Sequence, residues 1–137
     1  MKTRTKARTK AFELLFEAQL RDENAQELYE QRLKTRDTKS TPPNPYIYDV
    51  VSGVSQHQDE LDETIASTAE AWTLKRMPTV DLTILRIGTW ELLYNEEVPE
   101  KAVLSEAVNL AREFSGDKAP KFINGVLGRI AKMKETL

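Results

Sequence analysis

The stretch that most constrains this chain is Met77–Tyr94, MPTVDLTILRIGTWELLY, the most apolar eighteen residues in it and free of strong helix breakers after the first two positions. Its apolar residues are Val80, Leu82, Ile84, Leu85, Ile87, Trp90, Leu92, Leu93 and Tyr94. On a helix with 3.6 residues per turn they point in nearly every direction. A helix that is apolar all round must be buried all round. Leu82, Ile84, Leu85 and Ile87 are half β-branched, as in a strand, but the run is too long and no turn signal follows until Asn95. The stretch reads as a central helix packed against most of the others.

Local chemistry marks its ends. Pro78 lacks an amide proton and opens a first turn without losing a hydrogen bond, Thr79 can cap, and Asp81 places negative charge at the positive end of the helix dipole. Gly88 in mid-helix costs roughly 1 kcal/mol relative to alanine, which predicts a neighbouring helix passing close by. Arg86 and Glu91 are charges in an apolar segment. The expectation is structural rather than catalytic: Arg86 snorkels to solvent and Glu91 accepts a buried hydrogen bond or ion pair.

At 137 residues the chain has the length of one domain, and with 39% hydrophobic and 31% charged residues it reads as soluble and globular. It has no cysteine, which excludes a disulfide framework and thiolate metal sites and suits a reducing cytoplasm. The basic N-terminus has no apolar core behind it, so neither a signal peptide nor a membrane span is read. Charge is unevenly spread. Lys2, Arg4, Lys6, Arg8 and Lys10 give the first ten residues +5, so the rest must carry −7 to leave the net −2. A basic arm on an acidic body is a polarised molecule.

From Lys6 to Leu20, the residues Ala7, Ala11, Leu14, Leu15 and Ala18 follow the spacing of one helix face, widened by Phe12 and Phe16. The arm is continuous with this helix, so Lys2, Lys6 and Lys10 form one stripe and Arg4 and Arg8 another. Such an arm is either a solvated tail or a nucleic-acid contact. Ala25–Lys34 gives a weaker helix, and Arg36–Pro45, with three prolines, is a linker no helix crosses. Tyr46–Gln56 and Asp59–Thr73 read as two further helices. The second carries Leu61, Ile65, Ala66, Ala69 and Trp72 and opens on an acidic first turn of Asp59, Glu60, Asp62 and Glu63. The helix dipole accounts for those acids better than a metal site at His57 does. Beyond the central helix, Pro99 admits a helix to about Phe114 with Val103, Ala107, Leu110 and Ala111 on its apolar face. Ser115-Gly116-Asp117 ends it, and Ala119-Pro120 begins a last helix. Gly125 and Gly128 lie three apart on that helix, and small residues at that spacing let another backbone approach closely. The chain is all-α, with six or seven helices and no sheet.

Chemistry is sparse. One histidine, no cysteine and five scattered glycines supply neither a nucleophile–base pair nor a phosphate-cradling loop, so an enzyme is not expected and no cofactor is implied. What the pattern favours is single-stranded nucleic acid, since phosphates suit the basic arm and unstacked bases suit flat side chains. Phe122 stands beside Lys118 and Lys121 at the start of the last helix, although taken alone it suits the core better than base stacking.

The run RMPTVDLTILRIGTWELLYNEEVPEKAVLSEAVNLAREFSGDKAPKFINGVLGRIA closely resembles the C-terminal half of the NusB family of bacterial transcription antitermination factors. RTKARTKAFELLFEAQL resembles that family's arginine-rich first helix. The resemblance covers nearly the full length and is weakest across Asp22–Pro45. Its most specific part is the ordered set Leu85-Arg86, Glu91-Leu92, Val98-Pro99, Glu106-Ala107 and Lys121-Phe122-Ile123-Asn124-Gly125-Val126-Leu127.

The resemblance implies a helical bundle of two three-helix subdomains, about 1–75 and 76–137, that binds boxA-type leader RNA. It implies a heterodimer with the ribosomal protein NusE and loading onto RNA polymerase with other Nus factors. Carried onto this sequence, the RNA side is Lys2, Arg4, Lys6, Arg8, Lys10, Lys121 and Phe122, and the partner side includes Asp81. Lys118 joins the RNA side as a departure from the acidic or polar residue expected in that loop. The free protein is then either a monomer or a homodimer that hides its RNA face. Two alternatives remain. One is a fragment of a ribosomal-RNA cytosine methyltransferase, which carries a domain of this type but needs a cofactor-binding domain that this chain, stopping at Leu137, does not have. The other is a helical protein-interaction module whose arm binds an acidic protein.

Overall fold

The computed structural model describes residues 3–69 and 74–136. Six helices follow one another: α1 (Thr3–Arg21), α2 (Ala25–Thr35), α3 (Pro45–Thr68), α4 (Thr79–Tyr94), α5 (Glu100–Phe114) and α6 (Ala119–Glu135), with a 3-10 turn at Leu74–Arg76. No strand occurs among the described residues, so the all-helical reading holds. No helix among them is long and apolar enough to cross a membrane. Two compact units divide the chain, Met1–Gln56 and His57–Leu137, and the division falls inside α3.

In the first unit α1 packs on α2. Ala7, Ala11, Leu15 and Ala18 bury the expected face of α1, and Phe12 stacks on Phe16 with ring centroids 5.8 Å apart. The reversal after α1 places Asp22 in the left-handed region at φ 53, where a short polar side chain is tolerated. Asn24 then caps α2, its side chain accepting from the Glu27 amide at 3.0 Å. The exposed Glu17 carboxylate accepts from Arg21 and Arg32, tying α1 to α2, and the two guanidiniums hold its pKa below the usual value.

The second unit is organised around α4, which packs on α5 and α6. Every residue from Asp81 to Leu92 is buried, as an apolar surface on all sides requires. Each large aliphatic side chain so buried contributes about 1.5–3 kcal/mol. Gly88 marks the close approach: a Cβ there would meet Leu127 Cδ1 of α6 at 2.7 Å. Leu127 is fully buried, so its side chain would have to repack within the core. Gly88→Ala should therefore destabilise by up to about 2 kcal/mol, because an overpacking cost of about 1–3 kcal/mol opposes a gain in helix propensity of about 1 kcal/mol. A urea-unfolding midpoint at or above that of the wild type would refute this.

Several expectations are corrected. A Cβ added at Gly125 or Gly128 would meet nothing within 4 Å, so no second close approach exists there. Pro78 rather than Thr79 is the N-cap of α4, with no side-chain cap bond. The two helices expected across Tyr46–Thr73 are one, α3, because nothing between His57 and Asp59 breaks a helix; Trp72 lies outside the described residues. The acids at 59–63 are thus in mid-helix, where the terminal dipole does not act. Asp62 has a different role. Arg86 does not snorkel: it is 7% exposed and donates through Nε to Asp62 Oδ1 at 2.8 Å and through Nη2 to Asp62 Oδ2 at 2.9 Å. Tyr94, at the end of α4, is exposed rather than buried. Its hydroxyl donates to Glu60, which pushes its pKa up to about 12, and its ring stacks on His57 at 4.2 Å.

Candidate nucleic-acid interface

The arm expected to be an extension of α1 is α1 itself from Thr3 onward, and Lys2 lies outside the described residues. At about 100° per residue, Lys6 and Lys10 sit on the side of the helix roughly opposite Arg4 and Arg8. The structure treats the two stripes differently. Lys6 and Lys10 are exposed, Arg4 is half-buried, and Arg8 is 3% exposed. Both arginines lie over the ring of Tyr46 in the first turn of α3, the Arg4 guanidinium carbon 5.3 Å and that of Arg8 5.8 Å from its centroid. Arg8 was expected on the RNA side with the other cations of the arm. It is buried instead, because the helix register that exposes the lysines turns it inward.

In the second unit, the loop from α5 to α6 and the start of α4 enclose an open groove of about 840 Å³. Phe122, Lys118 and Lys121 line it together with Asp81, Met77 and Ser115. Lys118 and Lys121 are exposed, and Phe122 is half-buried, neither in the closed core nor fully free of it. Local sequence explains the placement. Ser115 caps the C-terminus of α5, Pro120 fits the first turn of α6, and Lys121 and Phe122 follow at once. Asp81 is 6% exposed and its carboxylate accepts from the Ser115 hydroxyl, so it holds the loop as well as lying in the first turn of α4.

One groove thus holds residues that the sequence assigned to two different surfaces: Asp81 to a partner, and Lys118, Lys121 and Phe122 to RNA. The sequence did not mark Ser115 or Tyr46 as residues of a site. A tyrosine directly after Pro45 gives no periodic signal of the arginines it meets, and a serine 34 positions from its acceptor gives none either.

Six helices in two units, with cations along α1 and a groove at the start of α6, define a small all-α protein. Within that class the chain belongs to the NusB family, whose model matches residues 5–132. It is 47% identical over 137 residues to the transcription antitermination protein NusB of Arthrobacter sp. (strain FB24), covering 100% of this chain and 98% of that protein. Among solved structures, T. maritima NusB superposes with a TM-score of 0.82 at 32% identity, covering 100% of both chains. A chain from the crystal structure of antitermination factors NusB and NusE in complex with dsRNA superposes with a TM-score of 0.83 at 30% identity, covering 97% of this chain and 98% of that one.

Proposed function

We propose that this protein is a transcription antitermination factor that binds boxA-type single-stranded leader RNA together with NusE and helps assemble an antitermination complex on RNA polymerase in the cytoplasm. Its activity is binding, and no catalytic step is assigned to it. The observation that carries this reading is the full-length kinship with antitermination proteins, joined to a groove in which Lys118 and Lys121 flank the half-buried Phe122. A planar ring between cations suits an unstacked base on a phosphate chain. The exposed Lys6 and Lys10 and the half-buried Arg4 supply further phosphate contacts from α1.

A gel shift with a boxA RNA and a scrambled control, each with and without NusE, tests it. The boxA strand should shift more readily, and more so with NusE. A shift only with the double-stranded form would replace the single-strand reading, and equal shifts with the scrambled strand would remove the sequence preference.

The two kinds of contact should separate by salt. Replacing Lys6 and Lys10 together with alanine should flatten the dependence of log affinity on log salt by about 1.4, since each phosphate contact on a single strand contributes roughly 0.7. Phe122→Ala should weaken binding by about 1–3 kcal/mol with the slope unchanged, because stacking releases few counterions. Circular dichroism must show both variants folded. An unchanged affinity and slope in the lysine variant would make that side of α1 a solvated face.

A further inference from the structure

We infer that Ser115 is a positioning residue that couples the two partners of the groove: through its bond to Asp81, NusE bound at Asp81 holds Lys118 and Lys121 in place for RNA. The inference deepens the reading above and rests on its RNA and NusE parts. Asp81 belongs to the first turn of α4 and Ser115 follows the last residue of α5, yet the Ser115 hydroxyl donates to Asp81 Oδ1 across 34 positions. Asp81 Oδ2 takes no hydrogen bond from the described residues and is not sealed from solvent, and Asp81 forms part of the groove wall. One carboxylate thus holds the loop with one oxygen and offers the other to a donor arriving from a partner.

What moves with Ser115 is short. Residues 115–118 alone join α5 to α6, Asp117 and Lys118 among them are exposed, and a Cβ at Gly116 would meet nothing within 4 Å. Of these residues, Ser115 is the one whose side chain bonds to α4. The loop feeds directly into the first turn of α6, where the Ala119 amide donates to the Gly116 carbonyl at 3.1 Å and the Phe122 amide to the Lys118 carbonyl at 3.3 Å. Lys118 and Lys121 stand exposed on either side of that junction and line the same groove as Asp81. A donor on Oδ2 fixes the carboxylate and the carboxylate fixes Ser115, so the loop loses less freedom when its lysines close on a phosphate chain. Coupling of this kind is reciprocal, and RNA must tighten NusE binding by the factor by which NusE tightens RNA binding. Without the hydroxyl the two binding events lose this link.

The test is titration of a boxA-type single-stranded RNA, with and without saturating NusE, by the wild type, Ser115→Ala and Ser115→Thr. In the wild type NusE should raise RNA affinity about fivefold or more, the lower end of ordinary coupling between sites. Ser115→Ala should bind NusE alone as the wild type does, yet the enhancement should fall to about twofold or less. Ser115→Thr keeps the hydroxyl and should restore it. A serine that only stabilises the loop would, on replacement, weaken RNA binding by the same factor with and without NusE, and an enhancement left at its wild-type value would overturn the inference. Should Ser115→Ala fail to fold, Ser115→Cys decides the matter, since a thiol occupies nearly the same place but donates weakly. An undiminished enhancement in that variant would overturn the inference equally. RNA binding by the wild type with no effect of NusE would overturn the coupling and leave the RNA reading standing, whereas no RNA binding in either condition would overturn both.

Discussion

Asp62→Ala should lower the stability of the protein by about 2–4 kcal/mol, a large fraction of what a domain of this size possesses. The reason is the company Asp62 keeps. Its two oxygens receive Nε and Nη2 of Arg86, whose side chain is only 9% exposed, against 21% for Asp62 itself. Removing one partner of a buried bidentate pair leaves the other charge in a poorly solvating place, which costs about 3–5 kcal/mol when both are fully buried. The partial exposure of Asp62 places the expectation somewhat lower. Replacing both residues, as Asp62→Ala with Arg86→Met, should recover most of the loss, because the apolar pair no longer carries a desolvated charge. Urea unfolding followed through Trp90, buried in the same helix as Arg86, measures both. A single variant within about 0.5 kcal/mol of the wild type would mean that the pair is a surface-grade contact after all.

At the groove, Asp81→Asn and Ser115→Ala should have opposite profiles. Asp81 is buried and accepts from the Ser115 hydroxyl while it sits in the first turn of α4, so it has a structural task as well as its proposed place on the NusE surface. Asparagine still accepts that hydrogen bond but lacks the charge. Ser115→Ala keeps the charge but removes the donor, at a cost of about 1.5–3 kcal/mol for a hydrogen bond to a charged group. If the carboxylate serves the partner, Asp81→Asn should weaken NusE binding about tenfold, about 1.4 kcal/mol, with little loss of stability, and Ser115→Ala should do the reverse. Asp81→Lys is expected to fail on both counts. It removes the bond and puts a cation at the positive end of a helix inside a buried site, so its melting temperature should drop substantially rather than slightly. Unaltered NusE binding in Asp81→Asn would assign Asp81 to the fold alone.

Much of this molecule was legible in its residues. The burial of α4 follows from an apolar surface with no polar side to expose, and the bounds of α5 and α6 follow from Pro99, Ser115-Gly116 and Pro120 acting locally on the backbone. The close approach at Gly88 was readable because a glycine that costs helix stability needs a packing reason, and Leu127 supplies it. The same reasoning misled at Gly125 and Gly128, where no neighbour comes near. The family, too, was legible, because its motif residues occur in order along nearly the whole chain.

Periodicity, however, records which way a side chain faces on its own helix and says nothing of what waits there. By itself the sequence determined an all-helical chain, its buried central helix and the charge split of the arm, since these depend on neighbours a few residues away. Only the tertiary structure decided that α3 runs unbroken through His57, that Asp62 meets Arg86 across 24 positions, and that Asp81 and Phe122 share one groove. It also decided that Arg8 turns inward onto Tyr46 while Lys6 and Lys10 stay in water. Such pairings are set by how whole helices pack, and a hydrogen bond or cation–π contact between distant residues leaves no spacing in the sequence from which to read it.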